Sequence, residues 1–338
     1  MNDLDLELRP SGCMKLISYL TLNGDDSEEN KRPLLKELFS DPDFCAWIQA
    51  YSMIPDIERL IYRTLLDLET EQSFPENETF NRKIRDGFLL AAELGSEEML
   101  RKLVTVTSGQ SKTLQERVNR YLPEGTPLSV SVVFTIDGYN TGMMRENLVY
   151  YSILRVDPVT YDPLKLAHEV HHVGVYQWFN QDPKWSKWFG MEGTPEKVAA
   201  ELLRYVVSEG IANHLMSPKA VSLIEWSGEL TRLHNERVQY LDNRYFKYLR
   251  MMQDTIFHAY NGELEKSRKL YRELSIDEIG SGVPAGHYAS ARMFKEILGA
   301  RDESIINEII ENPWSFFEIY NRLNSKSIHF SDDFLSIF

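Results

Sequence analysis

With 338 residues, 43% of them hydrophobic and 26% charged, the chain has the make-up of a globular protein that can bury a substantial core. A formal charge of −14 with no Lys/Arg-rich stripe argues against a nucleic-acid partner, because such affinity is built on phosphate neutralisation. Two cysteines, Cys13 and Cys45, make neither a disulfide framework nor a CxxC site, and no run of about 18 apolar residues offers a membrane span. The polar start MNDLDLELRP carries no signal pattern. The expectation is a cytoplasmic protein, although a chain trimmed of its signal peptide would look the same.

The first 122 residues predict a helical lobe. Apolar residues recur at three and four in Leu16, Ile17 and Leu20, then in Leu34, Leu35, Leu38 and Phe39. The Asp41-Pro-Asp43 break is followed by Phe44, Trp47, Ile48 and Tyr51 at the same spacing. Pro55 opens a helix with Ile57, Leu60, Ile61, Thr64, Leu65 and Leu68 on one face. Helical stretches follow over 76–92, 97–104 and 114–121. The character then changes: SVSVVFTI (129–136) is β-branched and strand-like, NLVYYSIL (147–154) is a second strand candidate, and the loop DGYNTG lies between. From about Tyr161 the pattern is helical to the end, broken by the Gly/Pro cluster at 279–286. The expected class is α+β, mainly helical, with a helical lobe over 1–122 and a second domain over 123–338 that includes a small sheet.

The segment LKLAHEVHHVGVYQW contains His168-Glu169-Val170-His171-His172, which satisfies H-E-x-x-H. Residues four apart on a helix share a face, so the imidazoles of His168 and His172 can converge on one Zn²⁺. Glu169 lies about 100° round the helix, where it misses the metal but can take a proton from water bound there. Leu164, Ala167, Val170 and Val173 have helical spacing, and Asp162 with Pro163 is read as the cap and first-turn proline. The five-residue pattern alone is weak, since two histidines on an apolar helix are often ordinary packed groups. Context has to supply a third ligand.

The helix after Thr194-Pro195 offers two. Glu209 shares a stripe with Leu202, Tyr205, Val206, Ala212 and Asn213, and a carboxylate on a buried stripe needs a partner such as a metal. Glu201 is the rival, flanked at helical spacing by Lys197 and Arg204, which marks an ion-paired, solvated face. Gly210 costs about 1 kcal/mol in a helix interior relative to alanine, and close approach to the His168 helix would account for it.

HEVHH followed by SEGIANH resembles the HExxH…E metallopeptidases, the gluzincin group, and within it the poorly characterised families of zinc-dependent peptidases. The likeness covers roughly residues 125–325, including NPWSFFEIYNRL, and the helical N-terminal lobe is similar too. It implies a zincin-like core, zinc held by His168, His172 and Glu209, Glu169 as general base, and a peptide or protein substrate. In some gluzincins an acidic residue four positions after the ligand glutamate orients the first histidine. Here that position is Asn213, which could accept a hydrogen bond from an imidazole N–H.

Such a peptidase also needs a donor toward the oxyanion of the reacting carbonyl. His287 and Tyr288, just after a Gly/Pro break and at a helix start, are the candidates, with a packed aromatic as the alternative for the same pattern. His171, His214, His234 and His258 are read as structural. The aromatic stretch YQWFNQDPKWSKWFG could line the cleft or simply pack. Two other functions fit the same sequence: an amide or ester hydrolase acting on a non-peptide substrate, and a non-catalytic helical binding protein that retains the fold.

Overall fold

A computed structural model describes residues 4–22, 28–68, 78–155, 164–223, 229–276, 283–323 and 329–338. The expected Asp162-Pro163 cap and the first half of the Gly/Pro cluster at 279–286 lie outside the described residues. The chain forms two compact units, each drawn from separate stretches of sequence: Asp3–Glu116 with Leu128–Val170, and Arg117–Pro127 with His171–Phe338.

The first unit holds strand β1 (Leu4–Arg9), helices α1 (Ser11–Leu20), α2 (Glu28–Leu38), α3 (Pro42–Ala50), α4 (Ile57–Leu66), α5 (Glu78–Glu93) and α6 (Ser96–Gly109), and most of α7 (Ser111–Asn119). Strands β2 (Leu128–Thr135), β3 (Gly142–Arg145) and β4 (Leu148–Ser152) complete its four-stranded sheet in the order β1-β2-β4-β3. β1 and β2 are parallel, as are β2 and β4, while β3 returns antiparallel to β4. Glu146 takes a left-handed φ of 57° in the tight connection between β3 and β4. The helical faces are the expected ones. In α4 the buried residues are Ile57, Leu60, Ile61, Thr64 and Leu65, and α3 starts on Asp41, whose carboxylate accepts from the Asp43 and Phe44 amides.

The loop from β2 to β3 is built on one buried carboxylate. Asp137 accepts hydrogen bonds from Trp47 Nε1 at 3.0 Å and the Tyr51 hydroxyl at 2.5 Å, both from α3 or its C-terminal edge. The Tyr139 and Asn140 amides donate to its other oxygen at 2.8 Å each. A carboxylate with only 2% of its surface exposed needs such donors, and four of them pin the loop that delivers β3.

Helix α8 (Leu164–Gln181) begins in this unit and continues into the second. There follow α9 (Pro183–Phe189), α10 (Pro195–Ile211), α11 (Glu229–Asp242), α12 (Tyr245–Tyr260), α13 (Leu264–Ser275), α14 (Ala285–Ala300), α15 (Ser304–Glu311), α16 (Phe316–Leu323) and α17 (Asp332–Leu335). The Thr194 hydroxyl caps α10, with Pro195 as its first residue. α10 is the centre of this unit, packed by α9, α12 and α14. Gly210 permits one of these approaches: a Cβ there would sit 2.4 Å from the Phe294 ring and 3.0 Å from the Ser290 carbonyl, both on α14. This corrects the expectation that Gly210 makes room for the His168 helix. Directly after α10 the chain widens into a π-helical turn, Ala212–Met216.

Candidate metal centre

α8 is packed on nearly every side. Leu166, Ala167, Val170, His171, Val173 and Val175 are all at most 1% exposed, so the helix has little freedom to roll. Its partly open positions include His168 and Glu169, while His172 is 3% exposed. A ligating atom from each of His168, His172 and Glu209 lies within 4.8 Å of the other two, and this is the one such grouping of His, Cys, Asp or Glu among the described residues. His172 Nε2 is 3.5 Å from Glu209 Oε1. Bonds of about 2.0–2.2 Å in a tetrahedron set ligand atoms roughly 3.3–3.6 Å apart, so this edge already has the spacing zinc requires. Two imidazoles and one carboxylate are also the donor set zinc takes, whereas Mg²⁺ and Ca²⁺ favour oxygen shells. The residues fit the ion.

Glu209 stands in the last turn of α10 and is held by the π turn beyond it. Asn213 Nδ2 donates to the Glu209 carbonyl and to Glu209 Oε2, both at 2.9 Å. Its amide group is thus directed at the Glu209 carboxylate, rather than at the histidine that the family pattern suggests. π turns recur where a helix must re-aim a side chain at a site, and here the widened turn carries Asn213. Glu201 is outside the cluster and 3.9 Å from Lys197 Nζ. Burial raises its pKa, opposed by Lys197 and Arg204.

Glu169 meets the sheet. A Cβ built on Gly142, the first residue of β3, would fall 2.7 Å from Glu169 Oε1 and 2.9 Å from its Cγ. The strand backbone and the carboxylate therefore touch, and only glycine leaves that space. In the sequence Gly142 reads as the end of the loop DGYNTG. Its signal was the glycine itself, two residues before Met144, in a segment too short to read as a strand.

His287 and Tyr288 diverge. His287 Nε2 lies 3.5 Å from Glu209 Oε2, the oxygen that also receives Asn213. The Tyr288 hydroxyl instead donates to Asp242 Oδ1 on α11, and its ring lines a cavity of about 820 Å³ together with His214, Val238 and Arg292. Tyr205, one turn before Glu209, neighbours His287: their ring centres are 5.5 Å apart, and the Tyr205 hydroxyl donates to the Leu274 carbonyl at 3.2 Å. Burial, then the Glu209 charge, push the Tyr205 pKa far up, so its proton stays in place.

Of the remaining histidines, His171 Nε2 pairs with the Tyr121 carbonyl at 2.9 Å, His234 with the Ser222 carbonyl, and His258 with Glu263. Within the aromatic stretch Phe179 and Trp185 are core, each 1% exposed, whereas Tyr176, Trp178, Trp188 and Phe189 are half-buried. Tyr176 is the member that neighbours the cluster, its ring 6.2 Å from that of His172.

These features describe a mainly helical α+β protein whose His168, His172 and Glu209 could hold a metal ion. Residues 68–327 match the family described as "Putative zinc dependent peptidase (DUF5700)", and the chain belongs to that family. Neither a curated protein nor a solved structure matches the chain significantly. No described helix is long and apolar enough to cross a membrane.

Proposed function

We propose that the chain is a zinc peptidase with a zincin-like core, in which His168, His172 and Glu209 hold the ion and Glu169 is the general base. The observation that carries this reading is the grouping of three ligating atoms within 4.8 Å, with Glu169 next in sequence to one ligand and confined against Gly142. The chemistry an ion supplies at such a site is Lewis-acid polarisation of water and of a carbonyl oxygen.

The protein's own groups do the rest. Glu169 accepts a proton from the attacking water as its oxygen bonds to the scissile carbonyl carbon. The C–N bond then breaks, and Glu169 returns the proton to the departing amine. One water is consumed and no other co-reactant is needed. His287, whose Nε2 lies 3.5 Å from Glu209 Oε2, is the proposed donor toward the developing oxyanion. β3 is the last strand in the sheet order, so its outer edge can take an extended peptide as an added strand beside Glu169.

The test combines metal analysis with Glu169→Gln. Purified protein should bind one equivalent of zinc, and the variant should keep the zinc and the melting temperature while losing peptide hydrolysis. Less than a few tenths of an equivalent after reconstitution, or near-wild-type turnover in the variant, removes the proposal.

A further inference from the structure

Among the described residues no acceptor meets Arg204. Its guanidinium carbon lies 4.7 Å from the centre of the Tyr176 ring and 4.4 Å from that of Phe189. Among the described residues it donates no hydrogen bond and forms no ion pair, unlike Arg292 in the same unit, which engages Asp242 and Glu296. Rings against a guanidinium occupy its faces and leave the N–H edge, a fork of parallel donors, to meet a planar anion. The carboxylate nearest in sequence, Glu201, feels the Arg204 charge but makes no ion pair with it; its ion-pair contact is with Lys197, which also pairs with Glu192.

The location of this fork gives it meaning. Tyr176 is one turn beyond His172 on α8, and Arg204 is just over one turn before Glu209 on α10. The guanidinium carbon is 4.7 Å from the Tyr176 ring centre, which is itself 6.2 Å from that of His172, so the fork lies within about 11 Å of a metal-ligating imidazole, three extended residues at most. An extended peptide covers about 3.3–3.6 Å per residue. A substrate with its scissile carbonyl at the ligands would bring the end of its first, second or third following residue to Arg204.

We infer that Arg204, held against Tyr176 and Phe189, binds the C-terminal carboxylate of the substrate, so that the enzyme releases one to three residues from free peptide C-termini. The inference rests on the peptidase reading and narrows it to a substrate class. Two N–H donors on one carboxylate give a charge-assisted, bidentate pair, among the stronger polar contacts a protein makes.

The experiment uses short N-acetylated peptides in matched pairs, with the C-terminus either free or a carboxamide. Hydrolysis is followed with the zinc-loaded protein, and binding to the Glu169→Gln protein is followed by calorimetry. Free acids should be cleaved and bound on the order of 10- to 100-fold better than amides. In Arg204→Gln that ratio should fall toward one, through KM more than kcat. Arg204→Lys should recover only part of it, since one ammonium cannot form the fork. Equal treatment of acids and amides by the wild-type protein overturns the anchor while leaving the peptidase reading standing. A preference for acids that survives Arg204→Gln overturns it too, because another group then reads the carboxylate. Arg204-dependent cleavage of amidated peptides bearing an internal Asp or Glu would assign Arg204 to a side chain and overturn the C-terminal specificity. Acids that bind through Arg204 without any hydrolysis would support the anchor and defeat the peptidase reading.

Discussion

Removing the Asn213 amide should weaken zinc binding without touching a ligand. Asn213 Nδ2 donates to Glu209 Oε2 and to the Glu209 carbonyl, each at 2.9 Å, and the residue is 2% exposed, so water cannot easily take its place. A hydrogen bond to a charged group contributes about 1.5–3 kcal/mol, and every 1.4 kcal/mol is about tenfold in an equilibrium constant. Asn213→Leu, of similar volume but with no donor, should therefore raise the zinc Kd by about 10- to 100-fold, the range seen when partners of metal ligands are lost. Competition against a chromophoric chelator measures the Kd, and circular dichroism with melting of the metal-free protein checks that the fold survives. Asn213→Ala should act in the same direction. A Kd within about threefold of wild type in both variants, with the fold intact, would refute the claim that the π turn sets the ligand.

Other substitutions probe the rest of the site. Gly142→Ala should force the Glu169 carboxylate aside and cut kcat by on the order of 10²-fold, the usual cost of a misplaced catalytic group. Zinc content and melting temperature should hold, and unchanged kcat would mean that Glu169 does not need its place against β3. His287→Ala should lower kcat by about 10²- to 10³-fold at constant zinc content, whereas Tyr288→Phe should lose at most about 1 kcal/mol of stability, its partner Asp242 being half exposed. The opposite ranking in turnover would move the oxyanion donor to Tyr288. Glu209→Ala should abolish tight zinc binding and Glu201→Ala should spare it; equilibrium dialysis that shows the reverse assigns the third ligand to Glu201.

How much of this is legible in the sequence varies with the element. Helices with a buried stripe, such as α4, are readable because their burial follows the 3.6-residue period. β2 and β4 are readable from β-branched and aromatic runs. β1 is not, although Leu4, Leu6 and Leu8 alternate with Asp5, Glu7 and Arg9: six mostly half-buried residues leave a faint signal, and their pairing with Leu128–Val133 is a contact across more than a hundred positions. β3 has four residues and nothing β-branched. Glu209 stands out as a carboxylate on an apolar stripe, but the aim of Asn213 does not, because projecting that stripe past residue 211 assumes an α period where the chain turns π. The divergence of His287 and Tyr288 depends on how α14 seats against Tyr205 and Asp242, which no local pattern encodes.

The Asp137 carboxylate has a consequence for where this protein can be cut. The family match begins at residue 68, which invites expression of a shorter piece starting there. Trp47 and Tyr51 both precede that point, and so does β1, the strand that flanks β2. Such a fragment would keep every proposed ligand yet leave Asp137 with two of its four donors removed, and would open an edge of the sheet that β1 covers. Shortened at residue 68, the chain should express as aggregate or as a loosely folded species, while the longer piece that retains β1 and α3 stays monodisperse.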